Sequence, residues 1–398
     1  MGTGRGSEVY IAGAVRTPIG RHGGRLAGCR PDDLAAVVVR EAVDRAPQLD
    51  PADIDDVFLG AANGAGEDNR NVGRMAVLLA GLPVSVPGVT VNRLCGSGME
   101  AVIGASRAVE VGDASICVAG GVESMTRAPW VLLKPAKGYP AGHETLWSTT
   151  LGWRMVNPVM PGEWTASLGE GTEQLAEKYG IGRDEQDGFA LASHRKAAAA
   201  WAAGEFADEV VSVPGVDLAT DESVRADSSA ERLGGLRPAF RPTGTITAGN
   251  ASPLNDGAAA MILADRGGVE RAGLTPLARI VARAVSGVEP PFFGIGPVEA
   301  ANRALARAGI GWGDLASVEL NEAFAAQALA CLGEWPELDP GIVNPSGGAI
   351  ALGHPLGCSG ARILATLAWR LHRSGGGYGL ATMCIGVGQG IAVVLEGM

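Results

Sequence analysis

DIDDVFLGAAN (53–63) and DLASVELNEAF (314–324) follow one pattern, and LCGSG (94–98) and LGCSG (356–360) repeat another. The first pair is offset by 261 residues and the second by 262. Two matches at nearly the same offset point to a duplicated chain, because likeness by composition alone carries no fixed spacing. Each second match leads into a helical pattern, then an apolar strand pattern, then glycines. Working outward, EVYIAGAV (8–15), DDVFLGA (55–61) and ASICVAGG (114–121) read as strands. DDLAAVVVREAV (32–43) and MEAVIGASRAVEVG (99–112) read as helices, the second ended by Gly112. This alternation predicts an α/β fold of two similar halves related by a pseudo-two-fold axis.

Between the halves the texture changes. Residues 122–248 hold Trp130, Trp147, Trp153 and Trp164, a helix rich in alanine and charge over 183–206, and a polar, loop-like stretch over 217–244. This reads as an inserted cap. The expected division is therefore 1–121 with 249–275 as the first half, 122–248 as the cap, and 276–398 as the second half.

Composition narrows the function. Hydrophobic residues make up 46% and charged residues 19%, which is the balance of a compact protein rather than a disordered one. A net charge of −11 with no run of lysine or arginine argues against a nucleic-acid partner. No apolar run reaches the length of a membrane span. The start MGTGRGSEVYIAGAVRTP lacks the apolar core of a signal peptide, and Gly6 stands where a myristoylation signal needs Ser or Thr. None of the six cysteines forms a C-x-x-C pair, so a disulfide framework and a metal site are not expected, and a cytoplasmic location is.

Three glycine-rich stretches carry the chemistry. Cys95 in NRLCGSGMEAV (92–102) precedes a helix, whose N-terminal charge would lower the thiol's pKa. The flanking glycines free backbone N–H groups to hold an oxyanion. His354 in NPSGGAIALGHPLGCSGAR (344–362) also precedes a helix, over 361–371. The dipole there favours a neutral ring able to take a thiol proton. Cys384 in MCIGVGQG (383–390) follows a strand. The glycines after it do not make a dinucleotide site, because IAVVLEG reads as a strand where a helix is required. Cys117 and Cys331 fall in apolar patterns and read as core; Cys358 reads as filler. Asn321, in NEAFAAQ (321–327), sits at a strand end, where it could hold a water or substrate oxygen or cap the next helix.

RTPIG (16–20), NRLCGSGMEAV, GGVESMTRAP (120–129), TAGNASPLNDGAA (247–259), NEAFAAQ, GGAIALGHPLGCSGAR and CIGVGQG together resemble the thiolase family, in order and over essentially the whole chain. The resemblance implies duplicated halves in a five-layered αβαβα arrangement, with a loop domain, and a homo-oligomer, dimer or tetramer. It implies Cys95 as the acylated nucleophile, His354 as its base and Cys384 as the second acid/base. Asn321 with His354 would form one oxyanion hole, and the N–H groups of Cys95 and Gly386 the other. Ser252 and Arg225 match contacts to coenzyme A, with Leu168 and Phe324 also on the substrate side. Coenzyme A and acyl-CoA would be substrates, with no permanently bound cofactor and no metal.

Several positions depart from the family pattern. Ser167 and Leu168 stand where His-Met is common, Pro253 where glycine is usual, and Phe293 where methionine is common. These bear on acyl preference. A 3-oxoacyl synthase is the near rival, but those enzymes pair the cysteine with two histidines, or His and Asn, where this chain has Cys384. A non-catalytic acyl-CoA or lipid-binding relative would lack site residues that are all present here. AGEDNRNVGRMAVLLAGLP (65–83) and TTLGWRMVNPVM (149–160) resemble thiolases acting on 3-oxoadipyl-CoA more than those acting on acetoacetyl-CoA. A dicarboxylic chain needs a cationic partner for its far carboxylate, and Arg154 is the candidate.

Overall fold

The computed structural model describes residues 6–398. Met1–Arg5, part of the start read above for targeting signals, lies outside the described residues. The chain opens with β1 (Val9–Arg16), β2 (Gly20–Arg21), α1 (Pro31–Asp44), β3 (Asp56–Gly60), α2 (Val72–Leu79), β4 (Val89–Val91), α3 (Ser97–Val111) and β5 (Ile116–Ser124). Pro31 and the acids Asp32 and Asp33 suit the first turn of α1, since proline brings no N–H that would lack an intrahelical partner and the carboxylates meet the partial positive charge of that end. Gly112 ends α3 at φ 82°, a left-handed cap as its sequence predicts. The middle stretch holds β6 (Trp130–Leu132), β7 (Leu146–Ser148), α4 (Leu168–Tyr179), α5 (Arg183–Ala202) and α6 (Ala230–Gly234), the last a short helix within the stretch read as loop. Then come β8 (Asn255–Ala264), α7 (Arg266–Arg271), β9 (Ala278–Gly287), α8 (Gly296–Ala308), β10 (Leu315–Leu320), α9 (Ala325–Gly333), α10 (Ala349–Leu352), α11 (Leu356–Arg373), β11 (Tyr378–Ile385) and β12 (Gln389–Gly397).

The duplication appears in the sheet. From its edge inward the first half runs β4-β3-β5-β8-β1, and the second runs β10-β11-β12-β9. β3 and β5 are parallel, while β8 is antiparallel to both β5 and β1. β10 and β11 are parallel, while β12 is antiparallel to both β11 and β9, the same succession. Even the parallel place of β4 beside β3 has a counterpart, a bridge from Val343 to Val318 of β10. β1 and β9 pair antiparallel at the centre, as a two-fold axis between them requires.

Alternate residues of the central strands enter different cores. In β8, Ile262 packs with Leu34 and Val38 of α1 and Val77 of α2. Met261 and Leu263 face the other way, against Ile103 of α3 and Leu364 and Leu367 of α11. In β12, Val393 joins that same middle core, while Val394 packs with Ala301 and Leu305 of α8 and Cys331 of α9. The layers are therefore helix, half-sheet, helix, half-sheet, helix. Burial on both faces explains why these strands read as unbroken apolar runs.

The middle layer demands close helix crossing. A Cβ on Gly98 would lie 2.5 Å from the Gly357 carbonyl oxygen, and one on Gly360 would lie 2.4 Å from the Met99 nitrogen. Both neighbours are backbone and cannot yield cheaply. Gly104, one helical stretch along α3, would meet only the Phe58 ring at an ordinary 3.5 Å. Thermal unfolding is the check. Gly360→Ala should cost several kcal/mol (roughly 2–4, in the range of severe overpacking), whereas Gly104→Ala should be neutral or stabilise by about 0.5–1 kcal/mol. Equal melting temperatures for the two variants would remove the close crossing as a constraint.

Candidate active site

Cys95 sits in a locked turn just before α3. Leu94, at φ 48°, holds the left-handed conformation that a branched side chain disfavours. The turn is over-determined: Gly96 N–H donates to Arg93 O, Ser97 N–H and Ser97 Oγ both donate to Leu94 O, and Arg93 N–H donates to Ser97 Oγ. Across from it, the tight turn from β11 to β12 carries Gly386, Val387 at φ 65° and Gly388 at φ 76°. The Gly386 N–H is aimed at the Cys95 sulfur. Burial nevertheless pushes the Cys95 thiol up to about 11, against the pull of that N–H group. The expectation that a helix start would lower this pKa is thus corrected: loss of solvent outweighs the dipole.

His354 precedes α11 and is buried. Its backbone N–H donates to Asn255 Oδ1 at 2.9 Å. Its Nδ1 lies 2.6 Å from Ser359 Oγ, and that hydroxyl donates its one proton to Pro355 O at 2.9 Å. Ser359 can then only accept, so Nδ1 carries the ring proton. Nε2 is left as a lone-pair acceptor, buried and without a protein partner. Burial, with the nearby Arg362 charge second, lowers this ring to about 3. The ring is neutral, as its sequence context predicts, but the cause is desolvation and a buried cation rather than the helix dipole alone.

Cys384 lies near the end of the buried strand β11 and packs with Phe293, Ala323 and Phe324. Burial holds its thiol well above the ordinary value, and the neighbouring Cys95 adds to this. Asn321 lies beside it, its N–H donating to Thr382 O on the adjacent strand at 3.0 Å. Phe324, not Asn321, is the N-cap of α9, and no side chain caps that helix. Both ends of the Asn321 amide are buried without a protein partner. Of the two readings of Asn321, the helix cap is thereby excluded.

The substrate-side candidates divide. Ser252 donates its N–H (2.9 Å) and its hydroxyl (3.0 Å) to Ala323 O, next to Phe324. Phe324 is flanked edge-on by Phe293 and Phe240 at 6.4 and 6.3 Å. Leu168 Cδ2 lies 3.5 Å from where a Cβ on Gly386 would stand, and Leu94 Cδ1 3.7 Å away. Arg225 stands apart: it is exposed and only its backbone is engaged, its N–H donating to His194 Nδ1 at 3.2 Å and its carbonyl accepting from Ser228 N–H at 3.1 Å. Cys117, Cys331 and Cys358 are buried in the cores, as read. Ser167 caps α4, accepting from Glu170 N–H.

Three residues escaped the sequence reading. Ser359 fixes the tautomer of His354, Asn255 holds its backbone, and Glu123 accepts N–H bonds from Ala62 and Gly357. All three lie inside motifs quoted above. Ser359 had a signal, five residues after His354 and one turn into the next helix. Glu123 is fully desolvated, which raises its carboxyl to about 7. Among the described residues no group of three or more His, Cys, Asp or Glu is placed to hold a metal ion, and no helix is long and apolar enough to cross a membrane.

Comparison with known proteins agrees over nearly the whole chain. The thiolase N-terminal domain matches residues 9–267 and the thiolase C-terminal domain residues 274–397. The chain is 53% identical to the beta-ketoadipyl-CoA thiolase of Escherichia coli and 51% identical to that of Pseudomonas putida, each over 98% of this chain and 99% of the relative. Among solved structures it is similar to the acetyl-CoA acetyltransferase of Bacillus anthracis, at 40% identity and a TM-score of 0.92, covering 99% of this chain and 100% of that one. It is also similar to human mitochondrial 3-ketoacyl-CoA thiolase in complex with CoA, at 38% identity and a TM-score of 0.91, covering 98% of each.

A thiol pushed up to about 11 and an imidazole lowered to about 3 are both neutral at rest. Alkylation of Cys95 by iodoacetamide, followed by peptide mass spectrometry, should therefore accelerate about tenfold per unit between roughly pH 7 and 9, tracking the thiolate fraction. A rate already level at pH 7 would mean a standing thiolate–imidazolium pair instead.

Proposed function

The chain belongs to the thiolase family, and from that premise we propose that it cleaves 3-oxoadipyl-CoA with coenzyme A, giving acetyl-CoA and succinyl-CoA through an acyl group on Cys95. What supports this reading of the site is a pair of neighbouring buried thiols, the free lone pair of His354 Nε2 and the unpartnered amide of Asn321. The names of the relatives support the substrate.

In the first half-reaction His354 Nε2 takes the Cys95 proton as the sulfur attacks the 3-keto carbon. The oxyanion formed there faces the N–H groups of Cys95 and Gly386. The C2–C3 bond then breaks, and its electron pair becomes the enolate of acetyl-CoA, whose thioester oxygen is held by Nε2–H of His354 and by a water on Asn321. Cys384, kept protonated by its apolar surroundings, delivers its proton to the α-carbon. In the second half-reaction the incoming CoA thiol gives its proton to the Cys384 thiolate and attacks the acyl group. Cys95 leaves as thiolate and recovers its proton from His354. The protons balance over one turnover.

Ser252, Leu168 and Phe324 line the approach on the substrate side, with Arg225 reaching the coenzyme from the surface. The enzyme acts in the cytoplasm, a reading supported by six free cysteines. It works as a homo-oligomer, dimer or tetramer. Support for this comes from β4, which ends the sheet with Val84 and Val89 exposed beside it, and from the β6–β7 arm, which exposes Trp130, Leu132 and Leu146.

Labelled acetyl-CoA tests the roles. Wild type should gain one acetyl group on the peptide containing Cys95, and Cys95→Ser should lose nearly all activity. Cys384→Ala should still be acetylated but should no longer exchange the α-hydrogens of acetyl-CoA with deuterium. Normal exchange by that variant would remove Cys384 from the proton-transfer role, and a panel of 3-oxoacyl-CoAs in which 3-oxoadipyl-CoA is not preferred by kcat/KM would overturn the substrate.

A further inference from the structure

We propose that the turn opening α11 is a closed counterpart of the Cys95 turn, that its ligand is the Glu123 carboxylate, and that Glu123 is thereby a positioning residue for His354. The inference rests on the role of His354 as base proposed above. The repeat of LCGSG as LGCSG sets Gly357 in the place of Cys95, 262 residues on, and Ser359 in the place of Ser97. In the proposed reaction the first copy offers the Cys95 N–H to a substrate oxygen. In the second copy the corresponding N–H, that of Gly357, already holds an oxygen. Glu123 Oε2 accepts it at 2.9 Å and accepts the Ala62 N–H at 2.8 Å. Two N–H groups on one oxygen, at the positive end of a long helix, suit an anion. The second copy has no room for a nucleophile: a Cβ on Gly357 would stand 2.3 Å from Val122 O and 2.8 Å from Gly60 O. Its turn is filled from within, by a carboxylate residue only 3% exposed.

The filled turn bears on the base. α11 has Pro355 as its N-cap and no side chain that caps it locally, so the acceptor comes from Glu123 of β5. On the other side, Asn255 of β8 accepts the His354 N–H at 2.9 Å. β5 and β8 pair with Glu123 opposite Gly257, next but one to Asn255. The stretch from His354 to Gly357 is therefore gripped at both ends by side chains of two adjacent strands of the first half. Gly353 leads into it at φ 113°, where a Cβ would meet the Asn255 side chain. Ser359 fixes the tautomer of the ring, but where the ring stands depends on this backbone. Releasing the Gly357 end lets the ring shift, and small misplacements of a base slow proton transfer steeply.

The test is the rate at which saturating acetyl-CoA acetylates Cys95, read by peptide mass spectrometry in four variants. Glu123→Gln keeps an accepting oxygen and should stay near wild type. Glu123→Leu, of similar size but with no acceptor, should slow roughly 10- to 100-fold, with little change in the acetyl-CoA concentration that gives half the maximal rate. In Glu123→Ala, which also lacks the acceptor, added acetate replaces the deleted methylene and carboxylate and should raise the rate, whereas chloride at equal ionic strength should not. If Glu123→Leu does not fold, by circular dichroism, Glu123→Ala with and without acetate decides. A folded Glu123→Leu at the wild-type rate, a Glu123→Gln as slow as Glu123→Leu, or a Glu123→Ala that responds alike to acetate and chloride overturns the proposal. His354→Ala separates the two readings. If it is slow while Glu123→Leu is fast, this proposal alone falls; if it acetylates at the wild-type rate, the reading of the base falls and this proposal with it.

Discussion

The crossing of α3 and α11 inside the molecule is the constraint on which the reaction centre depends. Each helix is the buried partner of one half of the duplicated chain, and their first turns touch backbone to backbone at Gly98, Gly357 and Gly360. Cys95 and His354 each lie only a few residues before that contact, one ahead of each helix. Two helix N-termini in contact repel, since each carries partial positive charge. Glu123 satisfies one of these ends locally: its Oε2 accepts the Gly357 N–H at 2.9 Å, together with the Ala62 N–H at 2.8 Å. The acid sits near the end of β5, the strand that α3 feeds into, so a residue of the first half holds the first turn of the second half's helix.

Burial then sets the chemistry. A thiol raised by loss of solvent and an imidazole lowered by the same cause hold no charge at rest. In the proposed reaction charge appears only as bonds to substrate change, and the Gly386 N–H and the free Asn321 amide are the donors proposed to meet it. Preorganised donors of this kind cost nothing to reorient during reaction. Ser359 contributes by subtraction. By giving its proton to Pro355 O it leaves His354 one tautomer, the one with its lone pair on Nε2.

Local pattern made much of this legible. The offset repeats carried the two halves, the apolar run opening at Ile391 carried a strand that is buried on both faces, and glycine-flanked Cys95, His354 and Cys384 marked the candidate site. What stayed hidden depends on contacts between distant residues. The direction of the Cys95 shift needed its burial, which no neighbour in sequence reports. The partners of Asn321 needed the start of α9, which begins at Ala325 rather than directly after the asparagine. Glu123 and Asn255 lay within recognised motifs, but their acceptors and donors come from residues 234 and 99 positions away.

The furthest reach of this kind is Arg16. In the sequence it only opens the short motif RTPIG, yet its fully buried guanidinium binds Glu209 at 2.6 Å and Asp221 at 2.7 Å, 193 and 205 residues on, with the Phe206 ring 5.0 Å from its centre. Glu209 also accepts from Thr366 of α11. One side chain of β1 therefore ties the middle stretch to the central sheet and to the helix that follows His354. Apolar contact is non-directional and would let the two slide; a planar fork of N–H groups fixes angle as well as distance. That matters because the same middle stretch presents Leu168 to the Gly386 turn within van der Waals reach. Removing one member would leave an uncompensated buried charge, at a cost of about 3–5 kcal/mol. The network is therefore under strong constraint to stay whole, and the register between the middle stretch and the site stays with it.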